Sequence, residues 1–329
     1  AGAVFWMWIT AIIGGASAFV ESTLAQIYKK RNADGTSYGG PAFYMKDALK
    51  KRWLGVLFSF LIILTYAVGY NMLAAYNLQD TFSVFGFYVK DTTPVIIGAI
   101  LAVLFGIIVI GGAKRLTKST EIMVPFMGII YVIVSLVVLV LNADRLGEMF
   151  AMIFKSAFDF KAIFGGFAGS CIMNGIKRGL YSNEAGMGSA PNAAATADVS
   201  HPAKQGLVQM LSVFIDTLLI CTATAFMCLS SGVSFNTEMS GAAYVQTSMA
   251  ENLGAFGPIF LSAAMSLFAF TTLIGNYSYC EGCLRFILNR DISKGGLLTF
   301  RIFATILVFV GAMASAGTVW NLADMTQGL

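Results

Sequence analysis

The chain has 329 residues, of which 57% are hydrophobic and only 12% are charged. That charged share is about half the value typical of a soluble domain, and it is too small to cover the surface of a water-soluble fold of this size. Soluble classes are therefore excluded, and the net charge of +4 is better explained by membrane topology than by a nucleic-acid-binding surface.

Apolar stretches long enough for a helix to cross a bilayer recur along the chain. They predict an all-α polytopic membrane protein with eight full spans and a partial ninth that begins near Thr318. The eight spans lie at 3–28, 53–80, 93–112, 121–141, 160–180, 205–230, 255–288 and 297–317. The chain starts at Ala1 and stops at Leu329, shortly after the ninth span begins, so we expect it to be truncated at both ends.

The lysines and arginines are divided unevenly between alternate loops. Of the 21 basic residues, 17 fall in the set of loops that includes the first one, and the other set holds only Lys90, Arg145, Lys155 and Lys161. Because cytoplasmic loops carry the excess of basic residues, this asymmetry predicts that the first basic loop is cytoplasmic.

The fifth span is interrupted by glycine, because Gly165, Gly166 and Gly169 fall within five positions in its middle. Glycine favours leaving helical geometry, and free backbone groups inside a bilayer are tolerated where they line a cavity or meet a ligand. A broken span could bind a carboxylate at a half-helix N-terminus and a cation at unwound carbonyls. Tight helix packing by small residues explains the same glycines equally well.

A polar, glycine-rich stretch at 178–191 follows this span and is predicted to be a cytoplasmic loop. Its Gly186-Met187-Gly188 lacks the third glycine of a dinucleotide fingerprint. The sequence contains no GxxxxGK[ST] phosphate loop, which argues against an ATP-driven pump encoded in this chain.

Three carboxyl groups lie within apolar spans, and such groups suggest function. Glu21 and Glu281 are expected to snorkel or to pair with nearby basic loops, whereas Asp216 has either a transport role or a structural hydrogen bond to a neighbouring helix. In the seventh span, Thr271, Thr272 and the Phe268 carbonyl could provide oxygen ligands for Na⁺. If these threonines are considered without other context, hydrogen bonds from their hydroxyls to carbonyls of the same helix are the favoured interpretation.

Several blocks of the sequence together resemble the alanine or glycine:cation symporter family, also called sodium:alanine symporters. The most specific block is Ser182–Pro191, and the likeness covers essentially the whole chain. The other blocks are Phe5-Trp6-Met7-Trp8 with Glu21, Gly39-Gly40-Pro41-Ala42, His201-Pro202, Phe214-Ile215-Asp216-Thr217, Ala269-Phe270-Thr271-Thr272 and Trp320-Asn321-Leu322-Ala323-Asp324.

This resemblance implies a leucine-transporter-type inverted-repeat bundle, in which 1–329 is a single transmembrane transporter domain. The chain would hold family spans two to nine and the start of ten, with the first broken helix missing. The implied sodium residues are Phe268, Thr271 and Thr272, and Asn183, Glu184 and Asp216 are implied as gate or structural residues. The implied substrate residues are Phe167, Gly169, Ser170, Cys171, Asn174 and Trp320, the last as a closing side chain.

One departure from the family pattern concerns the substrate. The second span has Ala74 where the family typically has glutamine, and Tyr76 where it has asparagine. The loss of an amide and the gain of a phenol leave a larger or less polar substrate open.

The predicted function is secondary active symport of a small neutral amino acid such as alanine or glycine with Na⁺, or alternatively with H⁺. No enzymatic cofactor, nucleic acid or obligate protein partner is expected. The protein is expected to be a multi-pass protein of the cell membrane, of the prokaryotic inner-membrane type. A membrane-embedded enzyme would need His, Asp or Cys clustered in the spans, where they are nearly absent. A channel or a transporter-like receptor without coupled transport remains open.

Overall fold

The computed structural model describes residues 1–32, 35–111, 113–159, 171–233, 241–289 and 292–328, with side chains omitted for 113–121. These residues are predominantly helical. A two-stranded antiparallel sheet, β1 (Lys30–Arg31) with β2 (Ser37–Tyr38), pairs Lys30 with Tyr38 and Arg31 with Ser37.

The helices follow the chain in an order set by its long apolar stretches. The first seven are α1 (Gly2–Ile27), α2 (Pro41–Asp47), α3 (Arg52–Ile62), α4 (Asn71–Asp80), α5 (Thr93–Ile110), α6 (Ala113–Leu141) and α7 (Leu146–Ala157). The next four are α8 (Cys171–Asn183), α9 (Ala190–Ala194), α10 (Pro202–Phe214) and α11 (Thr222–Ser230). The last four are α12 (Ala242–Leu253), α13 (Phe256–Leu288), α14 (Lys294–Met313) and α15 (Ala316–Gln327).

Two spans contain π-helical segments, at Ile63–Tyr70 and at Ile215–Cys221, which join α3 to α4 and α10 to α11 without a break. A short 3₁₀ turn, Ala143–Arg145, precedes α7. Widened π turns inside α-helices occur frequently at functional sites.

Seven described helical stretches are long and apolar enough to cross a membrane, and each corresponds to a predicted span. They are Gly2–Ile27, Arg52–Asp80, Thr93–Ile110, Ile122–Leu141, Pro202–Ser230, Phe256–Leu288 and Lys294–Met313. The fifth predicted span, 160–180, lies partly outside the described residues, which take up the chain again at Cys171 in α8. The partial ninth corresponds to α15.

The described chain divides into two compact units, each built from separate stretches of sequence. Unit 1 comprises 1–47, 130–234 and 248–254, whereas unit 2 comprises 48–129, 235–247 and 255–329. The single transmembrane domain expected from the sequence stays a prediction.

In unit 1, α1 packs against α8 and α10. Small residues allow the close approach: Gly206 of α10 lies against Thr23 and Phe19, and Gly15 of α1 lies against Phe214. Tryptophan hydrogen bonds fasten the other end of α1. The Trp8 indole N–H donates to Thr222 Oγ1 at 2.7 Å, and that of Trp6 donates to the Ala157 carbonyl at 3.2 Å.

In unit 2, a buried apolar core forms where α4, α5, α13 and α14 meet. Its fully buried side chains include Phe105, Leu273, Ile274 and Val308. Added Cβ atoms at Gly98 and Gly311 would press on Ala312 and on the Met72 backbone, so α14 lies very close to both α5 and α4. Glycine therefore permits this packing.

In three pairs of packed spans, the two members are five positions apart in the predicted order of spans. The first span packs against the sixth within unit 1 (α1 with α10), and the third packs against the eighth within unit 2 (α5 with α14). The second span packs against the seventh within unit 2, through α3 and α4 on one side and α13 on the other. The offset is five spans in these three pairs, whereas α1 with α8 (first and fifth spans) and α4 with α14 (second and eighth) have offsets of four and six.

Candidate functional site

The polar loop that follows α8 in unit 1 binds an acidic side chain of α1. The backbone N–H groups of Gly186 and Gly188 donate to the carboxylate of Glu21. Both glycines have positive φ angles, 81° and 75°, a backbone conformation that other residues rarely adopt. Successive N–H groups arranged in this way form an anion-binding nest. The glycine pair thus holds an internal carboxylate.

The same loop is fastened to α1 one turn further along. Gln26 Nε2 donates to the carbonyls of Ala194 and Ala197, at 2.5 and 2.9 Å, and Lys29 Nζ donates to Ala197 at 2.7 Å. These side chains bind the Ala194 carbonyl, at the end of α9, and the Ala197 carbonyl, three residues beyond it.

Asn183, Glu184 and Asp216, the three predicted gate or structural residues, lie together in unit 1. Ser182 Oγ donates to Asp216 Oδ2 at 2.6 Å, and Asn183 Nδ2 donates to Thr217 Oγ1 at 2.9 Å. Both bonds join α8 to the π-helical segment Ile215–Cys221. For Asp216, the structure thus contains the hydrogen bond to a neighbouring helix that was one of its two predicted roles.

Glu184 occupies a strained position directly after α8. Its φ angle is +54°, in the left-handed region that non-glycine residues rarely adopt. Ser189 Oγ donates to Glu184 Oε2 at 2.7 Å. Burial raises the pKa of Glu184 to about 7, the Ser189 hydrogen bond opposes this shift, and the negative charge of Asp216 adds to it.

The carboxylates of the first and seventh spans have different partners. Glu281 pairs with Arg285 at 2.8 Å and with Arg301 at 3.9 Å, as expected for a side chain near a basic loop. Glu21 accepts hydrogen bonds from backbone groups of the glycine loop, a partner that the sequence expectation did not include. The only feature of the sequence that pointed to this contact was the pair Gly186 and Gly188.

Of the predicted substrate residues, Phe167, Gly169 and Ser170 lie outside the described part of the chain. Cys171 and Asn174 lie half-buried in the first turn of α8, in unit 1. Cys171 Sγ lies 3.7 Å from the Ser156 carbonyl oxygen. Trp320 belongs to unit 2, where it lies half-buried in α15.

The predicted sodium residues lie in the middle of α13, in unit 2. Thr271 is buried, and its Oγ1 lies 2.9 Å from the Phe268 carbonyl and 3.0 Å from that of Leu267, so the hydroxyl donates back to its own helix. Thr272 is exposed. A hydroxyl that donates its proton in this way keeps oxygen lone pairs that can bind a cation.

The two departures from the family pattern both lie in α4. Ala74 is buried in the core of unit 2. The Tyr76 hydroxyl donates to Asp80 Oδ1 at 3.3 Å, within the same helix. The added phenol therefore has a local partner near the end of the span.

Sequence reasoning missed a buried amide pair between two spans of unit 2. Asn276 Nδ2 of α13 donates to Asn71 Oδ1 of α4 at 3.0 Å, and both side chains are buried. Each amide interrupts an otherwise apolar helical face, and that interruption was the available signal. Among the residues described, no three His, Cys, Asp or Glu side chains are grouped to hold a metal ion.

The sequence was compared with known proteins. The sequence model of the sodium:alanine symporter family matches residues 1–329. The chain is 45% identical over 329 residues to the protein named "Probable sodium/glutamine symporter GlnT" of Bacillus subtilis, and the match covers all of this chain and 67% of that protein.

Two further relatives carry names that include alanine. The sodium/alanine symporter AgcS of Methanococcus maripaludis is 36% identical over 336 residues, which cover 99% of this chain and 72% of AgcS. The sodium/proton-dependent alanine carrier protein of Bacillus sp. strain PS3 is 36% identical over 346 residues, which cover all of this chain and 76% of that protein. The family and these relatives are transporters and not enzymes. The chain therefore belongs to the sodium:alanine symporter family.

Proposed function

We propose that the protein takes up a small neutral amino acid, with alanine as the first candidate, together with a cation. The observation that carries this proposal is the family match over all 329 residues. The seven helical stretches of membrane-spanning length agree with a multi-pass membrane transporter. The cell membrane of a prokaryote, with the first basic loop in the cytoplasm, is the proposed location, since basic residues are concentrated in alternate loops.

The proposed fold is an inverted repeat of five spans, of the leucine-transporter type. Three packed pairs of spans that lie five apart support it, because the members of such a pair are counterparts in a repeat of five. In such folds, substrate and coupling ion bind near the membrane midplane at helices that are broken there. The glycine-interrupted fifth span is the proposed broken helix in this chain.

Sodium is the proposed coupling ion, with H⁺ as the alternative. Its proposed ligands on α13 are the Phe268 carbonyl and the hydroxyls of Thr271 and Thr272. Thr271 supports this assignment because its proton is directed to the Leu267 and Phe268 carbonyls, which leaves lone pairs on a buried oxygen within an apolar span. Oxygen ligands suit a hard cation.

Unit 1 contains most of the proposed substrate ligands. Cys171 and Asn174 lie in α8, directly after the glycine-interrupted part of the fifth span, and a half-helix N-terminus in that span would favour an amino-acid carboxylate. Phe167, Gly169 and Ser170 precede them in the sequence and complete the proposal on this side. Trp320 of unit 2 stays a separate prediction.

Several amino acids have to be tested as substrates, because the names of the relatives give different ones. One is named for glutamine and two are named for alanine. The buried Ala74 has no amide to offer a polar substrate, and the Tyr76 phenol already has a partner in Asp80. Because the family and two of the relatives are named for alanine, we propose alanine and glycine first; the departures at Ala74 and Tyr76 keep glutamine in the panel as a larger competitor.

The experiment is uptake of labelled alanine by proteoliposomes that contain the full-length protein. We expect uptake with an inward Na⁺ gradient, no accumulation when choline replaces Na⁺, and competition by glycine. Uptake that is unchanged in choline but follows an imposed proton gradient would replace sodium with H⁺ as the coupling ion. Absence of alanine counterflow under every gradient would refute transport and favour a receptor.

A further inference from the structure

An apolar groove runs between α5 and α14 on an exposed face of unit 2. Its volume is about 590 Å³. Val103 and Ile107 form one wall and Ile302 and Ile306 the other, with all four side chains about half exposed or more. Gly106 lies on the floor, where an added Cβ would meet only Thr305 at 3.6 Å.

The groove has the length of one leaflet. From Ala102 to Gly111 its floor follows nine residue steps of α5, or about 14 Å at the helical rise of 1.5 Å per residue. Half of the hydrocarbon thickness of a bilayer is about 15 Å. The one polar side chain among the lining residues is that of Thr305, and its hydroxyl donates to the Arg301 carbonyl at 2.8 Å. The lining therefore suits a hydrocarbon chain.

One end of the groove is basic. Arg301 lies at that end, because its Nη1 donates to the Ile110 carbonyl at 3.3 Å, and Lys294 is exposed in the first turn of the same helix. In the sequence, Lys114, Arg115 and Lys118 follow within seven residues of Gly111. Glu281 offsets part of the Arg301 charge at 3.9 Å. The basic residues of these two chain segments therefore outnumber the one carboxylate, Glu281, that pairs with Arg301.

We propose that this groove binds an acyl chain of an anionic phospholipid and that the basic end holds its phosphate. Basic residues beside membrane helices recognise anionic head groups, and each is worth about 1 kcal/mol, or about fivefold in binding. Charge complementarity favours this occupant over a helix of a second copy, which would bring apolar surface but no phosphate. The proposal goes beyond transport and is independent of which ion is coupled.

Native mass spectrometry of the purified full-length protein tests the proposal. The probes are phosphatidylglycerol and phosphatidylcholine with identical acyl chains. We expect phosphatidylglycerol to be retained at least about fivefold better. Gly106→Leu fills the floor and should abolish this preference, whereas Gly128→Leu should keep it, because Gly128 of α6 has open space around its Cβ position and lies outside the groove. Lys294→Gln should weaken phosphatidylglycerol retention about fivefold, and the matched change Lys90→Gln should not.

Ile306→Trp fills the groove from its exposed wall and serves as a second variant if Gly106→Leu unfolds. Equal retention of the two lipids by the wild-type protein would overturn the proposal. It would also be overturned if both filling variants bound phosphatidylglycerol normally. Conversion of a dimer to a monomer by the filling variants, without a change in lipid retention, would assign the groove to a second copy of the chain.

Discussion

The hydroxyl of Ser182 donates a 2.6 Å hydrogen bond to the carboxylate of Asp216 and so joins the last turn of α8 to a π-helical segment. The sulfur of Cys221 lies 3.1 Å from the same hydroxyl. We expect Ser182→Ala to destabilise the protein by about 1–3 kcal/mol, because a half-buried carboxylate loses its shorter hydrogen bond and keeps only the one from Thr217 Oγ1, at 3.4 Å. Asp216→Asn should cost less, since an amide oxygen still accepts from Ser182.

Thermal unfolding in detergent micelles checks this pair of variants. The contrast between the two variants is the informative result, because Ser182→Ala removes the shorter hydrogen bond to the carboxylate, whereas Asp216→Asn keeps an acceptor for Ser182. Equal stability of the two variants would contradict a stabilising role of the Ser182 bond.

A substitution at Gly186 tests whether the glycine loop needs the positive φ angle at this position. A Cβ at this position would meet only Ser17, at 3.5 Å or more, but the φ angle is +81°. Gly186→Ala should therefore destabilise the protein by about 1–2 kcal/mol through backbone strain. The matched control is Gly128→Ala in α6, which has open space and ordinary helical geometry and should be neutral or stabilising by up to about 1 kcal/mol. Unfolding temperatures that fall equally for both variants would argue against a conformational requirement at Gly186.

Glu184 should make stability depend on pH. Its ordinary pKa is 4.5 and burial raises the folded value to about 7, so between these values the folded protein holds a proton that the unfolded chain has released. The free energy of unfolding should therefore fall as the pH rises from about 4.5 to about 7 and level off above that. Glu184→Gln cannot ionise and should lose this decline.

Denaturant titration at pH 5, 6, 7 and 8 measures the free energy of unfolding and so checks the effect. The exposed Glu148 provides the control, because Glu148→Gln should leave the wild-type pH profile in place. A profile of Glu184→Gln that parallels the wild type would assign the decline to another group.

Thr271 should determine the sodium requirement of uptake. We expect Thr271→Val to raise the Na⁺ concentration for half-maximal uptake at least tenfold, which corresponds to about 1.4 kcal/mol, and Thr271→Ser to retain near-normal sodium dependence. Thr299 of α14 is a matched control, because its hydroxyl also bonds back to its own helix, to the Gly295 carbonyl at 3.0 Å. A sodium dependence of Thr271→Val that equals that of Thr299→Val would remove Thr271 from the proposed site.

The spans and the ion pair at Glu281 could be predicted because both depend on neighbours in the sequence. Hydropathy over about 20 residues identifies a helix that can cross a bilayer, and Arg285 lies one helical turn from Glu281. The partners of Glu21 could not be read in this way, since they are backbone groups more than 160 residues away. Their position depends on how α1 packs against the glycine loop, and no local pattern encodes that packing.

The buried amides illustrate the same limit. Asn71 and Asn276 are separated by 205 residues, so no local sequence pattern links them. Their pairing depends on the relative rotation of α4 and α13. The predicted substrate residues on the fifth span remain predictions for a different reason, because Phe167, Gly169 and Ser170 lie outside the described residues.

The π-helical segment Ile63–Tyr70 has a consequence for how the second span presents its faces. Hydrogen bonds from residue i to i+5 place more residues in each turn than the 3.6 of an α-helix. A cysteine-accessibility scan from Arg52 to Asp80 should therefore show a helical period whose phase shifts across this segment. A helical wheel drawn for the whole span would place residues after Tyr70, including Ala74 and Tyr76, on the wrong side.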